Sequence, residues 1–98
     1  MRLLEFEWDE GKNAANRVKH GIAFEEAALI FRGLTLTELD AREDYGEARE
    51  ISIGQLADRL VIVVVHTDRN GITRLISART ANRLERRRYH DYCQKITR

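Results

Sequence analysis

Leu60-Val61-Ile62-Val63-Val64-Val65, then Asn70-Gly71, then Ile72-Thr73-Arg74-Leu75-Ile76-Ser77 is the stretch that decides the fold. Its first run is apolar throughout and largely β-branched, the mark of a central strand covered on both faces. Asn-Gly between two strand-like runs is the strongest short hairpin signal, because a type I′ turn needs positive φ at both central positions. A buried hairpin is therefore expected here, with the rest of the chain arranged around it.

Upstream, Leu34-Thr35-Leu36-Thr37-Glu38 alternates, and Ile51 and Ile53 alternate with Glu50 and Ser52, as half-buried strands do. Ala41 to Gly46 reads as a charged loop and Leu56-Ala57-Asp58 as a tight reversal. Leu4-Glu5-Phe6-Glu7-Trp8 is a further alternating strand. Asp9 then caps a helix over Glu10 to His20, with Ala15 and Val18 expected to face the core and Gly21 as its end. A second helix is predicted from Phe24 to Arg32, closed by Gly33, with Phe24, Ala27, Ala28 and Phe31 in one apolar stripe. Downstream, a helix is predicted from about Thr80 to Lys95. Ala81, Leu84, Tyr92, Ile96 and the stem of Arg88 gather on its core side, while Arg79, Arg83, Arg86 and His90 fall within roughly one 60° sector opposite. The expected order is β-α-α-β-β-β-β-α. That is an α+β domain with an antiparallel sheet, two N-terminal helices and one C-terminal helix.

At 98 residues, the chain has room for one core, so residues 1–98 are read as a single domain. It has no proline, and no apolar run is long enough to span a membrane. Charge appears too early at the N-terminus for a secretory signal, and the lone Cys93 suits a reducing compartment; a cytoplasmic protein is expected. The net charge of +1 hides a strong asymmetry. From Arg69 onward there are nine basic and two acidic residues, whereas the preceding segment has eight basic and fourteen acidic. A basic end of this kind faces a polyanion or is a solvated helix face.

Arginines carry the clearest chemistry, since guanidinium groups stay charged and grip phosphate through paired hydrogen bonds. Arg74, Arg79, Arg83, Arg86, Arg87 and His90 would form an RNA-binding platform, with Tyr89 either stacking on a base or lying in the core. Lys19-His20-Gly21 taken alone reads first as an ordinary helix ending, and also offers a proton shuttle beside a cation. Glu47 and Arg49, two apart, point to one face as a base and a phosphate clamp, or as a plain ion pair. His66, at the end of the central strand, reads as structural. No metal site is expected, because His90 and Cys93 supply only two ligands at helical spacing.

In order along the chain, Phe6-Glu7-Trp8-Asp9 with Lys12, Asn16-x-x-Lys19-His20-Gly21, Phe24-Glu25-Glu26-Ala27, Gly46-Glu47-x-Arg49, Gly54, Ile76-Ser77-Ala78-Arg79, Glu85-Arg86 and Tyr89 resemble the BrnT toxins of type II toxin–antitoxin modules. The resemblance implies a RelE-like fold and metal-independent RNA cleavage that halts translation and growth, with no cofactor. It also implies a ribbon-helix-helix antitoxin of the BrnA kind, a toxin2–antitoxin2 assembly, and operator DNA bound only through that complex. Two positions depart from the family. Ala23 stands where a capping Ser, Thr or Asp is common, and Thr80-Ala81 where a basic residue commonly follows Ser-Ala-Arg. Under this reading Arg79 and Arg83, with Arg49, would stabilise phosphate charge. Lys19 and His20 would move the proton, with Glu47 and Tyr89 in reserve.

The nuclease reading as it stands requires the guanidinium groups to converge on a hollow beside the end of the first helix, free of internal carboxylates. If they do not, the competing reading is a non-catalytic module whose basic C-terminal helix binds an acidic partner or nucleic acid.

Overall fold

The computed structural model describes residues 5–42 and 46–97; Leu4 of the first expected strand and Glu43, Asp44 and Tyr45 of the charged loop lie outside the described residues. The elements are β1 (Phe6–Glu7), α1 (Glu10–His20), α2 (Phe24–Ala27) running into a 3-10 segment (Ala28–Arg32), β2 (Thr35–Leu39), β3 (Glu50–Ala57), β4 (Leu60–Arg69), β5 (Ile72–Thr80) and α3 (Arg83–Ile96). The strands form one sheet in the order β1-β5-β4-β3-β2. β1 runs parallel to β5 and the other pairs are antiparallel, so the sheet is mixed rather than antiparallel throughout. Asn70 and Gly71 have φ of 55° and 86°, both positive as a type I′ turn demands.

Two cores flank the sheet. Ile62, Val64, Leu75 and Ala78 face Ile22, Phe24, Ala27 and Ile30 on one side. Val61, Val63 and Ile53 meet Ala81 and Tyr89 on the other. Period-two alternation therefore serves both layers, as a strand covered on both faces requires. Gly54 lets the 3-10 segment approach β3, because a Cβ there would sit 2.8 Å from the Ile30 Cβ. Gly54→Ala is expected to lower stability by about 1–3 kcal/mol through overpacking, measured as a shift in the urea midpoint. An unchanged midpoint would mean that Ile30 yields freely.

α1 departs from its expected burial. Val18 is 89% exposed, and Ala15 is exposed too, whereas Asn13 and Asn16 are the buried residues. The helix is attached by polar side chains. The Asn16 amide donates to the Ile22 and Ala78 carbonyls (2.9 and 2.8 Å) and accepts from the Ala78 N–H (3.1 Å). It thereby occupies the edge of β5 where β1 stops. Asn13 Oδ1 accepts the Phe24 N–H at 2.8 Å, and Glu26 accepts the Ala23 N–H. Together they supply the α2 cap that Ala23 lacks.

His66 is buried on the α2 side, its ring edge-on to Phe31 and its Nε2 2.7 Å from Ser52 Oγ, which also meets Thr37 Oγ1. Burial pushes its pKa below the ordinary value near 6.5, against the opposing pull of Glu50. The unfolded chain therefore takes up a proton that the folded one resists. Stability is expected to fall as the pH drops below about 6.5 and to level off beneath the folded value. A melting temperature in His66→Gln that declines from pH 7 to 5 as steeply as the wild type's would contradict this assignment.

Candidate functional site

Arg79 is the residue around which the other groups are arranged, and it lies in β5, the strand that precedes the last helix. The register places Leu36, Ile53, Val63 and Arg79 in one row across the sheet. Because Ile53 and Val63 pack with Tyr89, Arg79 lies on the α3 face. Its Nη1 and Nη2 donate to the two Glu85 oxygens, each at 2.8 Å, and Nη1 also approaches the Thr80 carbonyl at 3.4 Å. Glu85 Oε1 in turn accepts the Asn82 N–H at 2.8 Å, while Asn82 Oδ1 accepts the Glu85 N–H. This capping box starts α3 at Arg83 and links the helix N-terminus to the strand arginine. The paired hydrogen bonds hold the Glu85 carboxyl below its ordinary pKa and raise that of Arg79. Arg42 acts electrostatically on both and is itself paired with the buried Asp40 at 2.9 Å.

Arg74 joins the same face through a β-bulge. It lies five positions before Arg79, so plain alternation would set the two on opposite sides. The register of β5 on β4 shifts at Val65/His66, which leaves Ile76 without a partner. Leu75 and Ala78 then share one core, and Arg74 turns to the α3 side, opposite Thr67 and beside Glu7 (2.9 Å). Arg49 precedes β3, with Glu47 Oε1 3.9 Å from its Nε; Glu47 also meets Arg69 at 3.3 Å. α3 packs on β2 and β3, and its Tyr89 and Glu85 reach Val63 of β4 and Arg79 of β5 on the same face.

Other candidates lie elsewhere. Arg83, Arg87 and His90 are exposed on the outer side of α3, whereas Arg86 turns inward to donate to the Ala81 carbonyl. The core side of α3 is Glu85, Tyr89, Tyr92 and Cys93, while Leu84 (65%) and Ile96 (49%) are exposed and Arg88 pairs with Glu38. The expected single platform does not form, because capping by Asn82 sets both the start and the rotation of the helix. Tyr89 is buried and donates its hydroxyl to the Leu34 carbonyl; burial, then Cys93, pushes its pKa up to about 12. Its ring offers no open face to a base. Lys19 and His20 end α1, capped by Gly21 at φ 73°, and no hydrogen bond or ion pair joins them to the arginines among the described residues. The hollow at the end of α1 is lined by Ala14, Arg17, Val18, Gly21 and Glu26 and by no strand arginine among the described residues, while Arg74 and Arg79 carry carboxylate partners, so the convergence expected at that place is not found.

Glu85, Asp40 and Arg42 were absent from the sequence-based candidates. Asn82-x-x-Glu85 is a capping-box signature that would have set the start of α3 and drawn attention to Glu85. No local signal marks Asp40 or Arg42. Among the described residues no group of three His, Cys, Asp or Glu could hold a metal ion, and no helix is long and apolar enough to cross a membrane.

No curated protein matches the chain. Among solved structures it is similar to the ribonuclease toxin BrnT of Brucella abortus, with a TM-score of 0.63 and 23% identity over 83% of this chain and 100% of that one. At that identity the likeness establishes the fold. Residues 8–85 match the family described as the ribonuclease toxin, BrnT, of type II toxin–antitoxin systems. With most of its length matched and its strands and helices arranged as in a solved BrnT, this chain belongs to the BrnT family of ribonuclease toxins, whose systems pair each toxin with an antitoxin.

Proposed function

We propose that this chain cleaves RNA without a metal ion, using the β4–β5 half of the α3 face. In such a reaction the 2′-hydroxyl loses its proton and its oxygen attacks the adjacent phosphorus. The bond to the 5′-oxygen breaks and that oxygen takes up a proton, leaving a 2′,3′-cyclic phosphate and a 5′-hydroxyl. The protein must stabilise the extra negative charge and move two protons. The supporting observation is Arg79, a half-exposed guanidinium near the end of β5, held by two 2.8 Å hydrogen bonds.

Arg79 takes the phosphate charge, with Arg49 and Arg74 along the same face. Glu47, on that side beside Arg49 and Arg69, is the best placed group to receive the 2′-hydroxyl proton. Lys19 and His20, removed from the arginines, are assigned the end of α1. Arg83, Arg87 and His90 guide the RNA backbone from the outer side of α3. Carboxylate pairing does not bar this role, because a half-exposed ion pair contributes only about 0–1 kcal/mol and a guanidinium has five N–H donors.

Family membership supports a ribbon-helix-helix antitoxin of the BrnA kind, binding as a two-plus-two assembly that represses its own operon, with growth arrest when the toxin acts alone in the cytoplasm. The test is digestion of an RNA oligonucleotide with EDTA present. Cleavage at the rate seen without EDTA, yielding cyclic phosphate ends, is expected. Abolition by EDTA with recovery on added divalent ion would overturn the metal-free reading.

A further inference from the structure

The ion pair on Arg79 uses one particular edge of the guanidinium. Nη1 and Nη2 meet Glu85 end-on, which leaves Nε–H and the second Nη2 proton without a partner among the described residues. Those two donors form the other fork of the planar group, with the spacing that grips two phosphate oxygens. The Arg79 side chain is 40% exposed, so the edge is reachable, whereas Glu85 is only 18% exposed and is held in place by the Asn82 N–H and the α3 N-terminus.

We propose that Glu85 is a positioning residue. Its carboxylate occupies the end-on edge of Arg79 and presents the Nε/Nη2 edge to the phosphate being cleaved. The assignment rests on the ribonuclease reading above and deepens it. A carboxylate fixed by a helix cap and a guanidinium fixed by a strand set the donor geometry before RNA arrives, and misplacing such a donor by about 1 Å costs up to about a hundredfold in rate.

Glu85→Gln keeps an oxygen for the Asn82 N–H and removes the charge. In single-turnover cleavage of a short mixed-sequence RNA, its rate is expected to fall about tenfold or more. Binding of the same oligonucleotide with 2′-O-methyl riboses should stay within about twofold, since other cations hold the backbone. In an Arg79→Ala background, Glu85→Gln should cost nothing further, because its effect passes through Arg79. An unchanged rate, or tighter binding with faster cleavage, would overturn the proposal, the latter by making Glu85 a competitor of phosphate. The same loss without Arg79 would also overturn it, by revealing a purely structural role. Should the variant unfold, the Arg79 Nε–H resonance of the wild type decides: it should shift on adding the 2′-O-methyl oligonucleotide, and an unmoved signal overturns the assignment. Wild-type protein that cuts no RNA removes the ribonuclease reading and this one together, whereas an active wild type matched by Glu85→Gln removes this one alone.

Discussion

Arg79→Ala is expected to abolish growth arrest and to slow RNA cleavage by about a hundredfold or more, the cost of deleting one preorganised donor to a transition-state oxyanion. Folding should survive. The side chain is 40% exposed, its pair with Glu85 lies at the edge of the sheet, and such a pair contributes about 0–1 kcal/mol. Glu85 would keep its hydrogen bond from the Asn82 N–H and its place at the N-terminus of α3, so its charge would not be stranded. Val63, opposite Arg79 in the register, keeps its packing against the α3 layer. The variant should therefore melt within a few degrees of the wild type and still bind its antitoxin. Normal protein levels with undiminished toxicity would refute the assignment and leave the binding-module reading in its place.

Asn16→Ala should act the other way, on stability first. One amide satisfies three buried backbone groups, the Ile22 carbonyl and both the N–H and carbonyl of Ala78. Deleting it leaves those groups without partners where water has little access, at a cost of about 2–4 kcal/mol. For a domain of this size, that corresponds to a fall in melting temperature of roughly 10 °C or more. Asn16→Asp is the sharper control. It can still accept from the Ala78 N–H, but it sets a carboxylate against two carbonyl oxygens, so it should be no better than Ala. Thermal unfolding by circular dichroism reads both, and a melting temperature within about 3 °C of the wild type in Asn16→Ala would show that α1 is held by something else.

These two residues mark how far the sequence was legible. Arg79 is recognisable as a candidate from its motif and from the strand before the closing helix, but a helix started at Thr80 also sets it in one sector with Arg83, Arg86 and His90, which the structure does not show. Asn82, with Glu85 three residues on, ends that uncertainty once the capping box is noticed. Asn16 was visible only as part of a motif. A buried asparagine breaks the apolar periodicity by which helix faces are recognised, so that periodicity points Ala15 and Val18 to a core they do not enter. Tyr89 had two readings, and its environment favours the core, where its hydroxyl meets a strand carbonyl.

What the sequence determined by itself was local: the Asn70-Gly71 hairpin, the bounds of α1, the β-branched centre of β4 and the order of the elements. Each follows from residues within a few positions of one another, where turn chemistry, capping and periodicity act. The tertiary structure alone decided that β1 joins β5 in parallel, that a bulge at Ile76 turns Arg74 to the side of Arg79, and that Asn16 closes the β5 edge 62 residues away. Strand pairing, register shifts and long-range polar contacts depend on groups brought together only by folding, and no short-range pattern encodes them.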